Sequence, residues 1–186
     1  MRANIIVDTC SYFRLAQSIH PLLKRPFCEE KHVLGVIREL DEEYYKNQTL
    51  RHKFFWVNET EYLENRKRCF ALTHEQKSDI NNSFYYLRDT AREEGYGVSK
   101  VDLRAISFAE ALSIPLVTDD TDMLLLAQEY DIKTFTSLEI MKLIYDCGAI
   151  DMNLVRSVAN YWVHLADTPA SFGKSYQDLF KEAAPR

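Results

Sequence analysis

Two short apolar runs, more than a hundred residues apart, each end on aspartate. Asn4-Ile5-Ile6-Val7 stops at Asp8-Thr9, and Ile114-Pro115-Leu116-Val117-Thr118 stops at Asp119-Asp120-Thr121-Asp122. Short β-branched runs bounded by polar residues read as strands buried on both faces, as in a parallel sheet. Segments of helical periodicity follow at 10–20, 29–46, 73–93, 99–112 and 123–130. Thr73-xx-Gln76 and Ser99-xx-Asp102 are capping boxes that open two of them. Ile132 to Thr136 reads as a further strand, with Ser137 capping the helix after it, and Cys69 to Leu72 reads as another short strand. Phe54-Phe55-Trp56-Val57 fits a strand or a helix start. Strands alternating with helices give an α/β fold around a mostly parallel sheet. Only five Gly and five Pro in 186 residues favour long helices over a loop-rich β fold.

The pattern changes after Gly148. Leu154, Val158, Tyr161, Trp162 and Leu165 form one apolar helical stripe, and Phe172, Tyr176 and Phe180 a second. The expected division is a core domain over 1–146 and a helical extension over 147–186, with the stripes serving as an interaction element. No run of 18 apolar residues would cross a membrane. The first apolar run is too short for a signal peptide. The four cysteines form no CxxC pair and no zinc pattern with histidine, so they are expected as thiols in a reducing cytoplasm.

Ligands of parallel α/β sheets gather at the carboxyl ends of the strands. Carboxylates crowded there resist ionising together unless a cation sits among them. Their hard oxygens suit Mg²⁺ or Mn²⁺, which can activate water and stabilise the charge of a phosphoryl displacement. Each acid also has a plain local role. Asp8 and Asp120 fit helix caps. Asp102 fits the third position of a capping box, and Glu39 sits in an acidic stretch that resembles a solvated face. Net charge is −5, with residues 1–100 at +1 and 101–186 at −6. The clusters Lys24-Arg25, Arg51-His52-Lys53 and Arg66-Lys67-Arg68 read as solvated surface. Arg14, Lys100 and Arg104 lie close enough in sequence to the aspartates to rim the site and hold phosphate. His20, His32, His52, His74 and His164 form no nucleophile pattern, and no Gly-rich phosphate loop exists.

Four segments in order carry a resemblance: Ile5-Ile6-Val7-Asp8-Thr9, Val36-Ile37-Arg38-Glu39-Leu40, Ser99-Lys100-Val101-Asp102-Leu103-Arg104-Ala105-Ile106, and Pro115 through Met123. Over about residues 4–145 the chain resembles the PIN-domain ribonucleases, including the toxins of bacterial toxin–antitoxin pairs. The resemblance implies a three-layer α/β/α sandwich around a parallel sheet. It implies a metal-dependent endoribonuclease that uses Mg²⁺ or Mn²⁺ on single-stranded or structured RNA. By position, Asp8, Glu39, Asp102 and Asp120 match the four acidic site residues, and Asp122 matches a fifth, variable acid among the metal ligands. Thr9 matches a polar residue beside the first aspartate, and Thr118 precedes the second acidic segment as an auxiliary group. Asp119 fills a variable position and receives no role. A cognate antitoxin protein and a homodimer are the implied partners. Residues 44–72 are long and charged for a minimal PIN domain.

Two other function classes compete. A catalytically inactive PIN-like scaffold that binds RNA or protein would be expected to have lost one of the four acids, and none is lost. A phosphatase using a strand-end aspartate as nucleophile would call for a second acid two residues after Asp8, where Cys10 stands, or for a Lys at a later strand end, where none is evident.

Overall fold

In a computed structural model, which describes residues 3–19 and 25–186, four strands pair in parallel in the order β2-β1-β3-β4. They are β1 Ile5–Val7, β2 Leu34–Gly35, β3 Leu116–Val117 and β4 Thr134–Phe135. Ile6 is opposite Gly35 on one side and Leu116 on the other. Side chains alternate across a strand, and here the alternation sorts the core into two. Ile5, Val7 and Val117 join one apolar cluster, while Ile6 and Leu116 join the other.

The first cluster is covered by α1 (Thr9–Ile19), α8 (Ser137–Asp146), α9 (Met152–His164) and α10 (Phe172–Phe180). The second is covered by α5 (His74–Glu94), α6 (Lys100–Leu112) and α7 (Thr121–Glu129). The result is a three-layer α/β/α sandwich. Between β2 and α5 lie α2 (Glu39–Lys46), α3 (Gln48–Lys53), a single 3₁₀ turn at Phe55–Asn58, and α4 (Thr60–Arg66). Buried Leu40, Tyr44, Phe54, Trp56 and Val57 attach this segment to the first cluster.

Three sequence expectations are corrected. The stretch 29–46 is not one helix: Leu34–Gly35 pairs with β1, and the helix begins only at Glu39. Gly35 permits this pairing, because a Cβ there would overlap the Ala3 Cβ. Cys69 to Leu72 forms no strand, although the Ala3 amide donates to the Cys69 carbonyl at 3.2 Å. The cap of α8 is Thr136, not Ser137; Thr136 closes a capping box with Glu139.

The capping boxes at Thr73/Gln76 and Ser99/Asp102 are both formed, and α5 ends on Gly95 in the left-handed conformation at φ 77°. His20 and Lys24 lie outside the described residues.

The apolar stripes of the extension are not an open interaction surface. Val155, Val158, Ala159, Trp162, Phe172 and Tyr176 are buried in the first cluster, and the Trp162 indole N–H donates to the Arg14 carbonyl at 2.9 Å. Packing is therefore continuous across 146/147. The expectation of four thiols also fails for two cysteines: Cys28 and Cys147 form a disulfide. Cys10 and Cys69 keep their thiols. No described helix is long and apolar enough to cross a membrane.

Candidate functional site

In this strand order β1 leads to β2 on one side, and the chain then crosses back to β3 on the other. The crevice at the carboxyl ends of β1 and β3 is therefore a topological switch point, where open α/β sheets bind ligands. Asp8 and Asp120 follow these two strands. The chain must turn there from strand into helix, and each aspartate caps the helix that begins. Asp8 Oδ1 accepts from the Ser11 amide at 2.6 Å, and Asp120 Oδ1 accepts from the Met123 amide at 2.9 Å. Thr118 joins them: its hydroxyl donates to Asp8 Oδ2 at 2.6 Å and accepts from the Asp120 amide at 3.1 Å.

Asp8 is only 4 % exposed. Burial pushes its carboxyl up to about 6, against the hydrogen bonds from Thr118 and Ser11, and the Asp119 charge adds to the rise. Asp102 comes from the first turn of α6, where Oδ2 accepts from the Ser99 amide at 3.2 Å. Its pKa is raised, first by burial and further by the Asp120 charge. Asp120 and Asp102 each commit one oxygen to a cap.

Two acids of α2 lie near the site, the expected Glu39 and Glu43. Glu39 faces Arg104, Oε1 to Nε 3.6 Å, and Arg104 also donates to Asn81 at 2.8 Å and lies over the Phe84 ring. Glu43, one turn later, stands against Thr9, which donates a hydrogen bond to it, and senses the Asp102 charge. Its pKa is raised, burial being the largest cause. Its Oε2 is buried without a hydrogen-bond partner. The signal in the sequence was the i, i+4 spacing of Glu39 and Glu43.

Two further expected residues have other tasks. Asp122 accepts from the Gly97 amide at 2.7 Å and ties down the loop before α6. Arg14 is not an open cation on the rim. It donates to Asp119 Oδ2 at 2.6 Å and to the Asp167 carbonyl at 3.1 Å, with only 13 % of its side chain exposed. Asp119 also accepts from the Ser137 amide and hydroxyl, so this neighbour of Asp120 is a structural tie between three elements. Lys100 is exposed at the start of α6 and lines, with Arg104 and Glu43, a cavity of about 940 Å³.

The set Asp8, Asp102, Asp120 and Glu43 fits a hard divalent cation in its chemistry. All donors are oxygens, and Glu43 Oε2 is an orphaned buried acceptor. Among the described residues, however, no three His, Cys, Asp or Glu side chains are gathered closely enough to form an ion-holding group.

The sequence matches no protein-family description and no curated protein. Among solved structures the chain is similar to that of FitAcB from Neisseria gonorrhoeae, with TM-score 0.48 and 14% identity, covering 72% of this chain and 97% of that one.

Proposed function

We propose that the chain is a metal-dependent endoribonuclease. The observation that carries this reading is the placement of Asp8, Asp102, Asp120 and Glu43 around the β1/β3 switch point, where burial resists the ionisation of Asp8, Asp102 and Glu43, the Asp120 charge adds to this at Asp102 and the Asp102 charge adds to it at Glu43. Such a pocket gains most from a cation. Mg²⁺ or Mn²⁺ bound there would supply an acidified water and neutralise charge on a phosphodiester. Asp120, Asp102 and Glu43 would hold the ion through their uncommitted oxygens. Asp8, fixed by Ser11 and Thr118, would set the negative field at the pocket floor. Lys100 and Arg104 would orient RNA phosphate, Arg104 being pre-aimed by Asn81.

The resemblance of the four sequence segments extends the reading to a toxin with a cognate antitoxin, assembled as a homodimer. Co-purification with the product of a short neighbouring reading frame tests that extension.

The nuclease reading is tested with purified protein and unstructured RNA. Cleavage should require Mg²⁺ or Mn²⁺ and disappear in Asp120→Asn. Undiminished cleavage in excess chelator would refute it. The ungathered state of the carboxylates favours one second reading, an RNA-binding scaffold without catalysis. Binding of RNA with no cleavage under any divalent cation would select it.

A further inference from the structure

A second cavity, of about 740 Å³, opens between the 66–72 turn and the amino-terminal half of α5. It shares Arg38, Glu39, Asn81 and Arg104 with the cavity that reaches Glu43 and Lys100, so the two adjoin around the Glu39–Arg104 pair. Some of its cations are committed: Arg66 to Asp41, Arg104 to Glu39, and Lys67 to Glu64. Arg38, Arg68 and Lys77 are exposed and form no ion pair among the described residues. Three uncompensated cations around one cleft stand out in a chain of net charge −5. The walls also carry flat apolar surface. Phe70 is half-buried in this cleft, and Phe84 and Tyr85 line the adjoining one, Tyr85 being 57% exposed.

Resting on the reading above, we propose that this cleft, walled on one side by the end of the long segment 44–72, is a binding arm for single-stranded RNA beyond the carboxylate pocket. Arg38, Arg68 and Lys77 would hold phosphates, and Phe70 would offer a base a stacking face. Cations interleaved with aromatic rings along a groove suit a flexible polyanion with flat bases. An acidic polypeptide would use the cations and leave the rings without a task.

Binding is measured in chelator, so that cleavage plays no part, with a fluorescein-labelled 20-nucleotide unstructured RNA and the full chain. The test variant is Arg68→Gln with Lys77→Gln. The control is Lys174→Gln with Lys181→Gln, which removes the same charge at exposed positions in and just after α10. Each lost phosphate contact on a single strand lowers the salt slope by about 0.7, so two cost roughly 20-fold in affinity at 0.1 M salt. The expected result is that loss and a slope reduced by about 1.4 in the test variant, with wild-type binding in the control. Equal weakening in both pairs, with thermal unfolding unchanged, would assign the effect to net charge and overturn the proposal. So would displacement of the RNA by poly-glutamate at equal charge concentration. If the test variant loses affinity but wild type cleaves nothing with Mg²⁺ or Mn²⁺, the arm stands and the nuclease reading falls. If wild type cleaves and the test variant binds RNA as wild type does, the arm falls and the nuclease reading stands.

Discussion

Asp8→Asn should make the metal-free protein more stable at neutral pH. The Asp8 carboxyl is raised from 3.8 to about 6, chiefly by burial. The folded chain therefore binds that proton more tightly than the unfolded chain does. Stability from this group is fully present below about pH 4 and is lost as pH rises through about 6. The difference between the two values corresponds to about 3 kcal/mol at pH 7. Asparagine carries no charge to desolvate, and its oxygen can still cap α1 by accepting from the Ser11 amide. Its amide would face Thr118, whose hydroxyl can turn to accept it and donate towards Met123 Sδ, already 3.3 Å away. No buried polar atom is stranded by the exchange. Unfolding in chelator should thus show a gain of up to about 3 kcal/mol at pH 7, or roughly 6–12 °C for a chain of this size. Near pH 4 the two proteins should converge. A variant no more stable than wild type at pH 7, or a difference that stays constant between pH 4 and 7, would refute the argument that burial of this charge dominates its energetics.

Asp119→Asn should behave oppositely to its neighbour Asp120→Asn. It removes the charge opposite the mostly buried Arg14 and should cost about 2 kcal/mol in a urea unfolding curve, whereas Asp120→Asn keeps its cap and should unfold near wild type. Reduction of Cys28–Cys147, or Ser at both positions, should lower stability by roughly 2–4 kcal/mol, read as a shift of the denaturant midpoint with and without reductant. Glu43→Gln should abolish most of the thermal stabilisation given by Mn²⁺, and Glu39→Gln should leave most of it; the reverse order in a Mn²⁺ titration would return the α2 contribution to Glu39.

Much of the fold was legible because the local signals agree with the tertiary structure. The caps at Thr73, Ser99 and Asp120 are each formed by the side chain the sequence offers. The strand β2 was not legible. Val33, Val36, Ile37, Leu40 and Tyr44 keep helical spacing, and that pattern runs unbroken across the boundary at Arg38. What breaks the helix is a long-range contact, the close approach of Ala3 to Gly35, which no local pattern reports. The disulfide was illegible for the same reason, since its cysteines are 119 residues apart. The segment 44–72 offered Arg66-Lys67-Arg68 as one basic cluster, yet its members part company: Arg66 is buried against Asp41, Tyr12 and the Val57 carbonyl, and Arg68 stays in the cleft.

At the candidate site the cap and the ligand readings of the aspartates turned out not to compete. A parallel strand that ends in a helix needs an acceptor at the turn, and aspartate provides it with one oxygen; the second remains at Asp120 and accepts from the Thr118 hydroxyl at Asp8. Two such turns meet wherever a sheet reverses its order, so the sequence rule for capping also assembles carboxylates at the switch point. The positive ends of α1 and α7 there moderate the charge. Asp120 is capped and exposed, whereas Asp8 is buried and its burial outweighs its cap. Glu39 and Glu43 could not be separated on such grounds. They lie on one ridge of α2, each just before a buried residue, Leu40 and Tyr44. Arg104 separates them. It reaches across from α6 to the first and leaves the second turned toward Thr9 and Asp102. In the proposed site the choice of acid on α2 would therefore be made by a cation on another helix: Arg104→Gln should leave Glu39 without its partner, and in that background Glu39→Gln and Glu43→Gln should cost comparable shares of the thermal stabilisation given by Mn²⁺.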